Sequence, residues 1–249
     1  MYKPHVLVVD DDETVLEYLE STLVMSGYEV TTAETATDAI GKLQARPEPF
    51  PLILCDIMMP GIDGIGLLKI IKKNFPDSMV VMMTAYSSTD SAIQALNAGA
   101  FAYLRKPINV DELTTTLKNA YRSYSLVREN VRLLEELQRA KEYDEAIIDN
   151  LVYMIVATDI EGNIKKVNKA VETLLGYREE EMIGFPLQMI FSQDFQFNSW
   201  NDMIKSSRVT DYPVTFRDKS GREIKLHFSG TIMKNSEKQF IGFLGTAKV

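Results

Sequence analysis

LILCDIMMPGIDG, residues Leu52–Gly64, sets four apolar side chains directly before an acid and then breaks into proline and glycine. A short apolar run bounded by polar residues reads as a buried parallel strand, here delivering Asp56 at its carboxyl end. Outward from it the pattern repeats. His5–Val9 runs into Asp10, Asp11 and Asp12, Met79–Met83 into Thr84, and Phe101–Leu104 into Arg105, Lys106 and Pro107; Tyr28–Thr32 is the fifth strand. Between the strands, helical spacing recurs over Thr14–Met25, Thr35–Gln44, Ile65–Asn74 and Asp90–Ala98, and again from Val110 onward. Five alternating strand–helix units predict an α/β, doubly wound parallel sheet with helices on both faces. Ligands bind such sheets beyond the carboxyl ends of the strands. Asp10, Asp11, Asp12, Asp56, Thr84 and Lys106 are therefore expected to converge on one rim.

Several carboxylates gathered at one place repel unless a cation sits among them. Mg2+ prefers oxygen ligands, keeps waters and bridges carboxylates to phosphate. A carboxylate beside it can attack phosphorus and form an acyl phosphate. A lysine opposite neutralises phosphoryl oxygens, and a threonine hydroxyl donates to another. On this reading Asp11 and Asp56 hold metal, Asp56 is the nucleophile, and Thr84 and Lys106 grip the product. Any one of these residues could be a solvated strand end; four together argue against it.

VLVVDD (Val6–Asp11), LILCDIMMPGIDG (Leu52–Gly64), VVMMTA (Val80–Ala85) and YLRKPI (Tyr103–Ile108) together resemble the receiver domain of two-component response regulators. The resemblance covers residues 5 to about 123. It implies a flavodoxin-like receiver in which a histidine kinase phosphorylates Asp56. It further implies Mg2+ on Asp11 and Asp56, on Asp10 through water, and on the main-chain carbonyl of Met58. Thr84 would be the switch hydroxyl, Tyr103 the switch aromatic, Lys106 the phosphate lysine, and Lys106–Pro107 a cis peptide. Cys55 reads as a small buried hydrophobe. A rival reading takes Asp10–Thr14 as the nucleophile loop of a haloacid-dehalogenase-like phosphatase, with Asp10 attacking and Asp12 as general acid. It lacks that family's later acidic pair and leaves Asp56–Gly61 unexplained.

No proline or glycine falls between Ile108 and Gly162. Leu113, Leu117, Ala120, Tyr124, Val127, Val131 and Leu134 alternate spacings of four and three, and Leu133, Leu137, Ala140, Ile147 and Leu151 form a second seam with Asp144 out of pattern. This is coiled-coil spacing, and predicts a helical linker and a homodimer. The expected domains are a receiver over 1–123, a linker over 124–143 and a second domain over 144–249.

That second domain changes character. Val152–Asp159, Ile164–Val167, Tyr212–Phe216, Ile224–Met233 and Phe240–Ala247 read as strands, Asn168–Leu175 as a short helix, and Tyr177–Met203 as short helices and loops. This is α+β with an antiparallel sheet. IIDNLVYMIVATD (Ile147–Asp159), GNIKKV (Gly162–Val167), Asn168–Tyr177 and Glu180–Gly184 resemble a PAS sensor domain. The resemblance allows a haem, a flavin, a metabolite or no ligand. A cysteine–flavin adduct is excluded, because the only cysteine is Cys55. Phe185, Phe191, Phe195, Phe197 and Trp200 read as core or pocket wall. Alternation puts His227 on the sheet face opposite Leu226 and Phe228, which reads as a surface or satisfied histidine, with a haem ligand as the alternative.

The net charge is −8, and no basic cluster suits a nucleic-acid backbone. No run approaches the roughly 20 apolar residues that span a bilayer, and no start-proximal apolar segment resembles a signal peptide. The expectation is a cytoplasmic, non-enzymatic phosphorelay regulator with neither nucleic acid nor membrane as partner. The alternative is the front of a longer hybrid histidine kinase. Downstream output, and whether the PAS pocket binds anything, are not legible.

Overall fold

The computed structural model describes residues 3–85, 89–192 and 208–248. The chain forms two compact units, Met1–Glu135 and Glu136–Val249.

The first unit runs β1 (His5–Val9), α1 (Glu13–Met25), β2 (Glu29–Ala33), α2 (Ala36–Gln44), β3 (Leu52–Asp56), α3 (Gly64–Asn74), β4 (Met79–Thr84), α4 (Thr89–Asn97) and β5 (Ala102–Arg105), then enters α5 (Val110–Asp149). Its sheet has the order β2-β1-β3-β4-β5, with every pairing parallel. The chain leaves β1 toward one side and returns to β3 on the other, so the ends of β1 and β3 flank the switch point of the sheet. Strand side chains alternate between two cores. Leu7, Val9, Ile53, Cys55, Val80 and Met82 pack with Ala39, Leu43, Leu67, Leu68 and Ile71. Val6, Val8, Leu52, Leu54, Val81 and Met83 pack with Leu16, Leu19, Leu23, Leu113 and Leu117. Burial on both faces explains why these strands read as continuous apolar runs. Thr35 and Asp63 cap α2 and α3, each side chain accepting from a first-turn amide.

Helix α5 is 40 residues long. The first expected seam splits along it. Leu113, Leu117 and Ala120 are fully buried in the core of the first unit, whereas Val127, Val131 and Leu134 are exposed. The start of that seam is thus ordinary amphipathic packing. Leu133, Leu137, Ile147 and Leu151 of the second seam are exposed as well.

The second unit contains β6 (Met154–Thr158), β7 (Ile164–Val167), α6 (Lys169–Leu175), α7 (Glu179–Met182), a 3-10 turn at Leu187–Ile190, β8 (Arg208–Arg217), β9 (Glu223–Lys234) and β10 (Phe240–Lys248). The sheet order is β7-β6-β10-β9-β8, with every pairing antiparallel. β8 starts at Arg208 rather than at Tyr212. A register shift between Val209 and Tyr212 breaks the alternation there, and Asp211 sits at φ 54. Phe191 packs on Phe216 and Phe228 at centroid distances of 5.1 and 6.0 Å. Phe185, expected inside, is 55% exposed: its backbone holds the edge of β7, accepting from Ile164 N at 2.8 Å, while its ring faces out. Phe195, Phe197 and Trp200 lie outside the described residues. The His227 side chain is half exposed and its Nδ1 lies 3.2 Å from Asp211. Among the described residues, the space lined by Met154, Val156, Phe216, Phe228 and Gly245 amounts to 10 Å3, about the room of one water.

β10 crosses β6 at Gly242, where φ is 151 and an added Cβ would stand 1.9 Å from the Thr158 carbonyl oxygen. Gly242→Ala is expected to cost about 1–3 kcal/mol of stability in the second unit. Gly184→Ala, at φ 83 with open space around it, should cost only the left-handed strain of about 1–2 kcal/mol. Denaturant unfolding of the two variants would check the order.

Candidate functional site

Four strand ends supply the rim. Asp10 follows β1 and is fully buried; Asp56 ends β3 at 4% exposure; Thr84 ends β4 and is buried. Lys106 follows β5 and reaches across the others. Its Nζ donates to Asp10 Oδ2 at 2.7 Å and lies 2.8 Å from Asp56 Oδ1. The remaining carboxylate oxygens are held by main chain. Asp56 Oδ2 accepts from Met58 N at 2.7 Å, and Asp10 Oδ1 from Asp12 N at 3.2 Å. Both acids are therefore aimed as well as paired.

The backbone under Asp56 is fixed from two sides. Ile57 N donates to Met83 O, and Gly64 N donates to Ile57 O, both at 2.9 Å. This brings the start of α3 so close that a Cβ on Gly64 would stand 1.9 Å from the Asp56 carbonyl oxygen. Only glycine permits that approach. Gly64 closes the stretch that fixes the fold, but sequence reading gave it no role. The Asp-Gly pair at its end was the available signal.

Burial raises the Asp10 pKa, a rise only partly offset by the hydrogen bond from Lys106. Burial alone would lower the Lys106 pKa, but its hydrogen bonds to Asp10 and Asp56 carry it upward. The ammonium is thus held charged between two carboxylates that it cannot neutralise together. Burial also pushes the Cys55 thiol up, and Cys55 Sγ donates to Asp56 O at 3.1 Å. It is a packed thiol, not a nucleophile.

The other candidates are placed less centrally. Asp11 is exposed on the loop after β1. Asp12 caps α1, its Oδ1 accepting from Thr14 N and Thr14 Oγ1 at 2.9 and 2.5 Å. The general acid of the phosphatase reading is therefore occupied as a helix cap. The Met58 side chain is 60% exposed while its amide turns inward. Tyr103 on β5 is 46% exposed. Lys106–Pro107 is cis. Among the described residues, no three His, Cys, Asp or Glu side chains form a group that could hold a metal ion. The oxygen donors nevertheless suit a hard cation: two buried carboxylates face one ammonium, and Mg2+ takes one or two carboxylates and keeps waters.

The raised pKa of Asp10 means that its ionised form costs stability. That cost is absent below the unfolded carboxylate value of about 3.9 and full above the raised folded value. In EDTA at pH 7, Asp10→Asn should raise the melting temperature of the first unit. The gain should fade as the pH falls toward 4. A melting temperature unchanged or lowered at pH 7 would contradict this.

Residues 6–118 match the response regulator receiver domain and residues 142–249 the PAS fold. The transcriptional regulatory protein ZraR of Salmonella typhimurium is 43% identical over 118 residues, 47% of this chain and 26% of that protein. The DNA-binding transcriptional regulator NtrC of Proteus hauseri is 40% identical over 124 residues, 50% of this chain and 26% of that protein. The chain thus spans about a quarter of the length of these curated relatives. A crystal structure described as adenylate cyclase from Rhodopirellula baltica superposes with a TM-score of 0.51 at 29% identity, covering 54% of this chain and 98% of that one. With a parallel five-stranded sheet under the first match and an antiparallel sheet under the second, residues 6–118 form a response regulator receiver domain and residues 142–249 a PAS domain.

Proposed function

We propose that Asp56 accepts a phosphoryl group from a histidine kinase, and that the resulting state is passed through α5 to the PAS domain. The observation that carries this reading is the single ammonium of Lys106, within 2.8 Å of both Asp10 and Asp56. An Asp56 carboxylate oxygen attacks the phosphorus of a phosphohistidine. The phosphorus–nitrogen bond breaks with its electron pair going to the imidazole, which takes a proton from water, and Asp56 is left as an acyl phosphate. Asp10, Asp11, Asp56 and the Met58 carbonyl would hold Mg2+, which supplies positive charge where two anions meet. Lys106 exchanges its contact with Asp56 for a phosphoryl oxygen and keeps Asp10. Thr84 turns its hydroxyl toward another phosphoryl oxygen, and Tyr103 moves from its exposed position to fill space behind it. This is a shift between two populated states rather than a new fold. In this reading the chain is a regulator and not an enzyme. No helix among the described residues is long and apolar enough to cross a membrane.

The partner we propose beside the kinase is a second copy. Leu133, Leu134, Leu137, Ile147 and Leu151 expose 41–67% of their surface, apolar area that pairing would bury. Leu134→Glu together with Leu137→Glu is expected to convert a dimer to a monomer in light scattering. A wild type that is monomeric at micromolar concentration would sink the dimer.

For the phosphoryl reading, intact mass is measured after incubation with a small-molecule phosphodonor and Mg2+. Wild type should gain one phosphoryl increment, lost in EDTA and absent from Asp56→Asn. Lys106→Ala should accept it at least about tenfold more slowly, since a charge-assisted contact is worth roughly 1.5–3 kcal/mol. Donor turnover without an increment, abolished by Asp10→Asn and not by Asp56→Asn, would refute the reading.

A further inference from the structure

Helix α6 opens at Asn168, a residue type that commonly caps its own helix by accepting from a first-turn amide. Its backbone has the extended conformation of a cap, φ −104 and ψ 170, yet its side chain makes no capping bond. It is 2% exposed and committed elsewhere. Nδ2 donates to Ile148 O at 3.0 Å and to Tyr153 O at 2.9 Å, while Oδ1 accepts from Ile155 N at 2.9 Å. Asn168 therefore ties the last turn of α5 to the start of β6.

The cap that α6 lacks comes from α5. Asp149 Oδ1 accepts from the amide of Lys169, the first residue of α6, at 3.2 Å. A carboxylate there also suits the positive end of the helix dipole. Nearby, Lys166 of β7 lies 3.9 Å from Glu145 of α5 and 3.2 Å from Glu179 of α7.

We infer that the last turn of α5 is the N-terminal cap of α6, so that displacing this turn releases α6 and the start of β6. The donor and the acceptor of the cap sit on different helices, which makes the cap sensitive to their relative position. N–H···O bonds span about 2.7–3.2 Å, and this one is already at 3.2 Å, so a shift of roughly an ångström is enough to break it. With 7 residues, α6 is too short to hold itself. It carries fully buried Val171 and Leu175 into the PAS core. Position of the linker helix is thereby converted into order of one core helix. This device is independent of the chemistry at Asp56.

The test is amide hydrogen exchange on the full chain, comparing wild type with Asp149→Ala, Asp149→Asn and Asn168→Asp. Asp149 is exposed, so its variants keep the fold. Asp149→Ala should speed exchange across Lys169–Gly176 by about five- to tenfold. Asp149→Asn retains an acceptor oxygen and should stay closer to wild type than to Asp149→Ala. Asn168→Asp is isosteric but loses the Nδ2 donors, and should also speed exchange over 150–156. Three outcomes overturn the inference: α6 exchange in Asp149→Ala equal to wild type, acceleration spread evenly over the PAS sheet, or Asp149→Asn behaving like Asp149→Ala.

Discussion

One ammonium shared by two buried carboxylates is the constraint around which the first unit is organised. Burying ions is costly, and only close pairing with further hydrogen bonds offsets the cost. Here Lys106 supplies the pairing and main-chain amides supply the remaining bonds. The pairing can form only if β1, β3 and β5 end at matched heights, which the parallel register fixes. The close approach of α3 to the Asp56 carbonyl, possible only at Gly64, locks the same point from below. The arrangement is not the most stable one available. Two carboxylates share one ammonium there, and that imbalance favours a cation.

The second unit answers a different problem, that of joining a helix to a sheet. Asn168 and Asp149 spend their hydrogen bonds across element boundaries rather than within their own elements. Asp218, by contrast, accepts from Ser220 and Arg222 within its own turn. Contacts that cross boundaries transmit displacement; contacts inside a turn only stiffen it.

Much of this was legible in the sequence. Asp10, Asp56, Thr84 and Lys106 each follow an apolar run, and a parallel sheet buried on both faces puts run ends on one rim. The expected strand Met79–Met83 gained Thr84, and Leu52–Cys55 gained Asp56, because pairing continues one residue past the apolar stretch. What could not be read were contacts made by backbone or by an absent atom. Met58 was named for its carbonyl, yet its amide holds Asp56. Gly64 matters for the Cβ it lacks. The bulge at Asp211 hid the start of β8 because it breaks the period on which strand reading depends. Helical spacing could not separate the part of α5 that packs on its own unit from the part that does not, since both carry the same apolar repeat.

Cys55 has a practical consequence. It is the only thiol in the chain, it is fully buried, and its ionisation is suppressed by burial. Thiol reagents are electrophiles that react with the thiolate. A cysteine introduced on the surface of either unit would therefore carry a fluorophore or spin label alone, with the native sequence otherwise intact, so that movements of β5, α5 or α6 could be followed spectroscopically without first removing a competing thiol.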